Sequence, residues 1–270
     1  MKKILISILL ATGLFSACTS KSNDLVVGME CNYAPFNWTQ VEKTDGALLI
    51  NNEAGSGYCD GYDIQIAQAI ADDLGRSLIV RKISWDGLIP ALQAGEIDMI
   101  VAGMTDTAER RVSVSFSEPY YTSDLVLLVK SDSTFASATN LADFTGANVI
   151  AQLSTFHDAL IDQIPSVNHM QPLGSAAALV NELLNGTADA MVTELPVGLS
   201  VTKSNSNVSI VQFAKGSGFE TAFEDTTVSV AVALSSTELL ADINTALAAI
   251  TAETRAQWMA DAIARQPLSN

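Results

Sequence analysis

Along the chain, short runs of β-branched and other apolar residues alternate with segments whose apolar positions recur at helical spacing. Residues 25–29 predict a buried strand, and residues 62–74 predict a helix with Asp63 as its N-cap and Gly75 just past its end. The next elements are predicted to be strand, helix and strand, at residues 78–83, 85–94 and 97–102. This order is typical of a mostly parallel sheet covered by helices.

One supersecondary pattern occurs twice. Residues 88–100 and 179–191 both consist of a helix stopped by a glycine, two turn residues, an aspartate and a buried apolar run. The aspartates are Asp98 and Asp189. A single copy could arise by chance, but two copies in matching places predict two α/β lobes of similar construction.

The predicted fold is therefore α/β with two lobes, each a mostly parallel sheet flanked by helices. The predicted bounds are 25–120 with 228–270 for the first lobe, 124–222 for the second, and 120–124 with 222–228 for a two-strand hinge. Ligands of open α/β sheets bind beyond the carboxyl ends of the strands. The loops after Val101 and Val192 are accordingly where a site is expected.

The amino-terminal segment predicts export. Two lysines precede a mostly apolar run at residues 4–15, which is too short to span a bilayer and has the layout of a secretory signal. Small residues directly before Cys18 resemble a bacterial lipobox, so residues 1–17 are expected to be a lipoprotein signal peptide and residues 18–24 a tether. The alternative is an ordinary signal peptide cleaved near the same place. Either way, we expect an exported protein, held by lipid on the outer face of the cell membrane or periplasmic.

Composition excludes several classes of function. The 270 residues are 48% hydrophobic, and 14 Lys plus Arg stand against 30 Asp plus Glu, for a formal charge of −16. Such an acidic surface repels a phosphate backbone, so we expect no nucleic acid partner. Two histidines and three cysteines leave little material for a metal site. We expect neither a metal nor a cofactor.

Export changes how Cys31 and Cys59 are interpreted. They bracket a polar, glycine-containing loop, and an oxidising exterior permits a disulfide that closes it. The alternative, two unrelated small apolar residues, stays open because pairing cannot be deduced without distances.

Complementary charges lie in the two loops expected to hold the site. In the first loop Gly103 lets the backbone approach a ligand, and Thr105 offers a hydroxyl. Arg110 follows with a two-pronged donor that matches a carboxylate. In the second loop Glu194 supplies an acidic group from the opposite lobe. Taken singly, Arg110 and Glu194 could be a surface ion-pair member and a charge at a helix start, but together they suit the two charges of a free α-amino acid.

Six segments, taken jointly and in order, resemble the extracytoplasmic solute-binding proteins of polar amino acid ABC importers. The segments lie at residues 32–36, 61–64, 85–92, 95–98, 103–110 and 116–120. The resemblance covers roughly residues 25–265 and implies the periplasmic-binding-protein-like fold. It also implies a monomer that binds a free amino acid and delivers it to an importer permease with its ATPase.

At one end of the ligand, the resemblance implies that Arg110 binds the α-carboxylate, helped by Thr105 and by backbone N–H groups around Gly103. Thr155 is expected to close on the same carboxylate from the second lobe. Ser154 stands where the family usually has a glycine, which leaves the backbone donor of that loop open.

At the other end, Glu194 falls where the family places an aspartate that binds the α-ammonium group. Tyr33 and Trp85 fall at the two positions that sandwich the ligand side chain. Glu30, at the end of the first strand, falls where relatives contact the far end of that side chain. A carboxylate there favours a cation, and aromatic faces add cation–π attraction. We therefore expect Arg, Lys or His, with glutamine or another neutral polar amino acid as the alternative.

An enzyme on the same fold is the other class to consider, because some cyclohexadienyl dehydratases resemble these binding proteins. Glu30 and Glu194 could then act as acid and base. No Ser–His–Asp, Cys–His or metal-ligand spacing is present, and His157 and His169 fall in helix and loop contexts without a partner. We expect no catalytic residues. A ligand sensor on this fold would bind its ligand identically.

Overall fold

The structure, a computed structural model, describes residues 23–51 and 57–267. The predicted lipidation site Cys18, the signal peptide and most of the tether lie outside the described residues. The strands within them are β1 (Asp24–Met29), β2 (Asn32–Tyr33), β3 (Asn37–Gln40), β4 (Leu48–Leu49), β5 (Tyr58–Asp60), β6 (Ser77–Lys82), β7 (Met99–Ile100), β8 (Val114–Phe116), β9 (Tyr121–Thr122), β10 (Leu125–Lys130), β11 (Asn148–Ile150), β12 (Asn168–His169), β13 (Ala190–Glu194), β14 (Val208–Val211), β15 (Thr227–Val228) and β16 (Ala231–Ala233).

Helices pack against the sheets that these strands form. The α-helices are α1 (Tyr62–Asp73), α2 (Leu88–Gln93), α3 (Phe156–Leu160), α4 (Ala176–Asn185), α5 (Leu195–Ser204), α6 (Thr237–Ala249) and α7 (Ala252–Arg265). Short 3₁₀ helices occur at Trp85–Gly87, Arg110–Val112, Thr134–Ser137, Leu141–Phe144, Ile161–Gln163 and Glu224–Thr226. None of the helices in the described part of the chain is long and apolar enough to span a bilayer.

Two five-stranded sheets of matching topology form the two lobes. Their strand orders are β6-β1-β7-β16-β8 and β12-β11-β13-β10-β14. In the first sheet β16 runs antiparallel to both of its neighbours, and in the second sheet β10 does the same. The other four strands of each sheet share one direction, which confirms the predicted mostly parallel α/β lobes. In each sheet the reversed strand is the first that the chain enters after crossing from the other sheet.

The predicted internal repeat is present as a matched pair of hydrogen bonds. Asp98 accepts from the Val26 N–H at 2.8 Å through its side chain, and its own N–H donates to the Val26 carbonyl at 2.8 Å. Asp189 makes the same two bonds with Asn148, also at 2.8 Å. Each aspartate therefore joins the loop before a central strand to the start of the neighbouring parallel strand.

The chain crosses between the sheets in two short strands that pair with each other. β9 runs antiparallel to β15, with Thr122 opposite Thr227 and Tyr121 opposite Val228. Both strands fall within the segments predicted to form the hinge.

A third connection lies at the carboxyl end of α7. Ser200 of α5 donates to the Gln266 side chain at 2.6 Å, and that side chain returns a bond to the Ser200 carbonyl at 3.0 Å. Lys203 donates to the Ile263 carbonyl at 2.8 Å. Arg265 meanwhile pairs with Asp60 of β5 at 2.9 Å. The end of α7 thus contacts both lobes.

The segment expected to be a polar loop between Trp38 and Tyr58 instead contributes to a small sheet of order β2-β3-β5-β4. Cys31 and Cys59 are joined by a disulfide with their Cα atoms 5.7 Å apart. Cys31 has a left-handed backbone with φ +48°. The disulfide ties the turn after β1 to this sheet.

Two local predictions were wrong. Asp63 is not the N-cap of α1: the residue before the helix is Gly61, and the Asp63 side chain is turned inward to Asn37 and Tyr120. Carbonyls of Pro35 and Phe36 accept the first N–H groups of α1, so no side-chain cap is required there. The predicted strand at 97–102 is reduced to β7, because the chain turns away at its end to reach the site.

Candidate ligand-binding site

A cavity lies between the two lobes at the carboxyl ends of their strands. Seven of the eight ligand-binding residues predicted from the sequence line it, with three others. The lining residues are Glu30, Tyr33, Trp85, Gly103, Thr105, Arg110, Gln152, Thr155, Phe156 and His157. The eighth predicted residue, Glu194, lies next to this cavity and contacts Tyr33.

The topology explains why these residues meet. Glu30 directly follows β1, and Gly103 and Thr105 follow β7, its parallel neighbour. Thr155 precedes α3 in the loop after β11, and Glu194 is the last residue of β13. Because parallel neighbours end at one edge of a sheet, each lobe presents its polar loops on the side that faces the other lobe.

Arg110 is half-buried and spans both lobes. Its Nη1 donates to the Thr105 carbonyl at 2.7 Å, and its Nη2 donates to the Ser154 carbonyl at 3.1 Å. Its guanidinium carbon lies 5.1 Å from the centre of the Trp85 ring, a cation–π distance. Burial lowers the pKa of Arg110 to about 10, which still leaves it charged at neutral pH. Arg110 is therefore a positively charged side chain, held by hydrogen bonds from its guanidinium group, that lines the cavity.

Ser154 has the left-handed backbone that a glycine adopts without cost, with φ +61°. Its carbonyl accepts from Trp85 Nε1 at 3.1 Å as well as from Arg110. The sequence left open which backbone group this loop would present at position 154. In the structure the Ser154 carbonyl, an acceptor, faces the first lobe.

Tyr33 and Glu194 join the lobes on the other side of the cavity. The Tyr33 hydroxyl donates to Glu194 Oε1 at 2.5 Å, and both residues are buried. Burial raises the pKa of Glu194 to about 7, although the hydrogen bonds from Tyr33 and Ser123 lower it. The Tyr33 ring stacks on Phe36 with 5.5 Å between ring centres.

Glu30 is a second buried carboxylate, with 6% of its surface exposed. Gln152 of the second lobe donates to Glu30 Oε2 at 3.2 Å. The pKa of Glu30 is raised to about 7, chiefly by burial and also by the charge of Asp86, against the opposing effects of the Gln152 hydrogen bond and the charge of Lys82. Gln152 was not identified from the sequence as a partner of Glu30, because the two residues come from different lobes.

Two expected donors are already engaged. The Gly103 N–H, expected to face the ligand, donates to the Tyr120 hydroxyl at 3.1 Å. The Thr155 hydroxyl donates to the Gln152 carbonyl at 2.7 Å. The Gly103 bond could not be read from the sequence, because the fold brings Tyr120 in from another segment, whereas the Thr155 bond is local to its own loop.

The histidines differ from the expectation that both lack a partner. His169 bridges Asp162 at 2.8 Å through Nδ1 and Asp158 at 3.0 Å through Nε2, so that prediction was wrong for it. His157 is buried in the first turn of α3 and lines the cavity, and burial, reinforced by the charge of Arg110, lowers its pKa to about 3. It is therefore neutral. In the described part of the chain, no cluster of three or more His, Cys, Asp or Glu side chains could hold a metal ion.

Many known proteins are similar to this chain in sequence or in structure. Residues 25–261 match the model of the bacterial extracellular solute-binding proteins, family 3. A "probable histidine-binding protein" of Campylobacter jejuni is 32% identical over 241 residues, which cover 83% of this chain and 87% of the relative. The "ABC transporter arginine-binding protein 1" of Escherichia coli is 29% identical over 97% of this chain and 98% of its own length.

A solved structure shares the same architecture. It is an amino acid ABC transporter substrate-binding protein of Streptococcus pneumoniae bound to L-arginine, with 28% identity and a TM-score of 0.76. The alignment covers 90% of this chain and 94% of that one. The family match includes both sheets and every residue that lines the cavity, so the chain belongs to the bacterial extracellular solute-binding proteins, family 3.

Proposed function

We propose that this protein binds a free cationic L-amino acid, with arginine the first candidate ahead of lysine and histidine, and delivers it to an ABC importer. The observation that carries the proposal is Glu30: a buried carboxylate lining the same cavity as Tyr33 and Trp85, opposite Gln152. Burying a carboxylate is costly unless a partner offsets the cost. A guanidinium or ammonium group on the ligand is such a partner, and it would gain cation–π attraction from the rings.

The backbone part of the ligand would be held by the charges at the two ends of the cavity. Arg110 offers a fork of N–H donors suited to the α-carboxylate, beside the Thr105 loop. Glu194 is placed to accept from the α-ammonium group, with Tyr33 as its present partner. Thr155 and Gly103 would then shape the walls of the site more than donate to it, because their donors are already used.

Transport would follow from closure of the two lobes. We propose that residues 25–120 with 228–270, and residues 124–222, move as two bodies about the crossings at 120–124 and 222–228. Closure desolvates the ligand charges and so strengthens their pairing with Arg110 and Glu194. The importer would recognise the closed form, and a lipid on Cys18 would keep the monomeric carrier at the membrane surface. Relatives named as arginine- or histidine-binding proteins of transporters support this role over an enzymatic one.

The test is isothermal titration calorimetry of the purified protein, freed of bound ligand by unfolding and refolding, against all twenty amino acids and against citrulline. Citrulline replaces the guanidinium of arginine with a neutral urea group of the same shape. We expect a Kd for arginine of about 1 μM, and binding of citrulline weaker by 10-fold or more, about 1.4 kcal/mol. Preference for glutamine over arginine would contradict the cationic assignment.

Substitutions can separate the role proposed for Glu30, at the side-chain end of the ligand, from the role proposed for Arg110, at its α-carboxylate end. Glu30→Gln should reduce the affinity for arginine by about 10- to 100-fold and leave citrulline binding nearly unchanged, because only the cation loses a charged partner. Arg110→Ala should abolish binding of both. Glu253→Gln, an exposed change on α7, is the matched control and should bind as the wild type. Turnover of prephenate or arogenate in place of amino acid binding would move the protein to the enzyme class.

A further inference from the structure

We infer that Asp63 and Tyr120 are positioning residues of the ligand site: a buried hydrogen-bonded chain that starts at Asp63 and passes through Tyr120 holds the Gly103 turn beneath Tyr33. Neither residue lines the cavity. The inference rests on the proposed function for its ligand, but its geometry can be tested without one.

The hydrogen-bonded chain consists of the Asp63 carboxylate, the Tyr120 hydroxyl and the Gly103 N–H, which lie far apart in the sequence. The Tyr120 hydroxyl donates to Asp63 Oδ1 at 2.7 Å, and the Gly103 N–H donates to the same hydroxyl at 3.1 Å. Asp63 is completely buried, and Tyr120 is 1% exposed. The hydroxyl of Tyr120 is thus both donor and acceptor, and it fixes the position of the Gly103 backbone relative to α1.

Asp63 also fixes the turn that carries Tyr33. Asn37, four residues after Tyr33, donates from Nδ2 to Asp63 Oδ2 at 2.8 Å. The N–H of Asp63 donates to the Phe36 carbonyl at 2.8 Å. One carboxylate therefore connects the Tyr33–Asn37 turn to the Gly103 turn.

The two turns are in direct contact at the cavity. A Cβ added to Gly103 would lie 3.0 Å from Cε1 of Tyr33, a tight contact that would require the Tyr33 ring to shift by a few tenths of an ångström. Gly103 itself has a left-handed backbone, with φ +62°. A small shift of this turn would therefore move the Tyr33 ring, and with it the hydroxyl that reaches Glu194.

The energetic cost of this arrangement argues for a role beyond packing. A buried carboxylate whose side-chain donors are a neutral hydroxyl and a neutral amide is expensive, and an apolar residue would fill the space more cheaply. Burial raises the pKa of Asp63 to about 6, although the bonds from Tyr120, Asn37 and the Gly103 N–H lower it. Both oxygens of Asp63 are bonded, and buried bonds of this kind favour one arrangement of the groups they join.

The experiment compares two tyrosine variants that each lose one buried hydroxyl. Tyr120→Phe removes the hydroxyl that accepts from the Gly103 N–H. Tyr62→Phe is the matched control: Tyr62 is also fully buried, and its hydroxyl donates to the Tyr120 carbonyl at 2.9 Å and not to the hydroxyl that holds Gly103. Both variants should lower the melting temperature by similar amounts. Only Tyr120→Phe should weaken arginine binding, by about tenfold, and only it should speed hydrogen exchange of the Gly103 amide in the ligand-free protein.

Asp63 provides a second comparison. Asp63→Asn keeps the acceptor for Tyr120, and Asn37 can rotate its amide to accept from the new NH₂, since Asn37 Oδ1 is otherwise unbonded. Asp63→Asn should therefore retain binding within about threefold, whereas Asp63→Ala should lose it as Tyr120→Phe does.

Equal affinity losses in Tyr120→Phe and Tyr62→Phe would overturn the inference, as would an unchanged Gly103 exchange rate in Tyr120→Phe. If Asp63→Asn bound arginine as weakly as Asp63→Ala, the positioning role would also be overturned. A wild-type protein that binds no amino acid would instead refute the proposed function, and the Gly103 exchange rates would still decide the positioning role.

Discussion

Tyr33 and Glu194 come from different lobes, 161 residues apart in the chain, and share a buried hydrogen bond of 2.5 Å. The sequence places both in the ligand site, one as an aromatic wall and the other as an anion. Their direct bond means that Glu194, which we propose as the partner of the ligand ammonium group, already has a donor in this structure. On this proposal, the ligand ammonium group would compete with the Tyr33 hydroxyl for Glu194 or share Glu194 with it.

Proton release on binding is the first prediction. Burial raises the pKa values of Glu30 and Glu194 to about 7, and a cationic ligand stabilises their ionised forms. Arginine affinity should therefore fall as the pH drops below about 7, and binding at pH 6 should release protons. Calorimetry in buffers of different ionisation enthalpy measures this release. Glu30→Gln should release fewer protons than the wild type, and equal release in both would contradict the role of Glu30.

The free energy of unfolding of the ligand-free protein should depend on pH in the opposite direction: it should rise as the pH falls, whereas the affinity for arginine falls. A folded-state pKa raised above 4.5 means that the folded state binds protons more tightly than the unfolded chain. The stabilisation is fully present below about pH 4.5 and is lost as the pH rises through 7. Each unit of raised pKa corresponds to about 1.4 kcal/mol of unfolding free energy. Denaturant titrations between pH 5 and 8 should show this slope, and the double variant Glu30→Gln/Glu194→Gln should flatten it.

Glycine at position 154 should stabilise the protein. Ser154 has φ +61°, a conformation that costs a non-glycine residue about 1 kcal/mol. Ser154→Gly should therefore raise the free energy of unfolding by up to about that amount, less the added freedom of glycine in the unfolded chain. Ser154→Ala keeps the backbone strain and should leave stability unchanged. A gain in the alanine variant would show that the side chain, and not the backbone, is responsible.

Loss of the disulfide should cost stability. The bond between Cys31 and Cys59 closes a loop with a sequence separation of 28, for which chain entropy predicts a loss of about 3 kcal/mol on opening. Reductant should lower the denaturant midpoint of the wild type and have no effect on the double variant Cys31→Ser/Cys59→Ser. A midpoint insensitive to reductant in the wild type would contradict the bond.

The repeated aspartates should contribute equally in the two lobes. Asp98→Ala and Asp189→Ala each leave one strand N–H without its side-chain acceptor, which should lower the free energy of unfolding by about 1–2 kcal/mol. The exposed change Asp242→Ala is the control and should stay within about 0.5 kcal/mol of the wild type. A loss of unfolding free energy in only one of the two variants would mean that Asp98 and Asp189 do not contribute equally to stability.

The elements that could be predicted are those specified by local pattern. The two helix–glycine–aspartate units were recognisable because each aspartate stands at a fixed distance from a helix-ending glycine, with φ +72° at Gly95 and +76° at Gly186. The lobes and the family followed from such patterns. Seven of the ten residues that line the cavity were predicted as well, some from loops that follow predicted strands and others from the family resemblance.

What could not be predicted depends on partners distant in sequence. Asp63 has the position of a helix cap, but Tyr120 and Asn37 reach it across the core and give it a different role. Gln152 was not recognised as a partner of Glu30, nor Tyr120 as the acceptor of the Gly103 N–H. Each of these bonds joins segments whose proximity is decided by how the sheets pack, and no local spacing reports it.

The bond between the Trp85 indole and the Ser154 carbonyl has a practical consequence for following the protein at work. Of the three tryptophans, Trp38 packs under Arg265 in the small sheet and Trp258 lies in α7, so only Trp85 touches the opposing lobe at the cavity. Separation of the lobes would expose its indole to water and shift its fluorescence to longer wavelength. If the lobes move as proposed, Trp85 would therefore act as an optical reporter of closure, readable on the millisecond timescale of a stopped-flow experiment without any added dye.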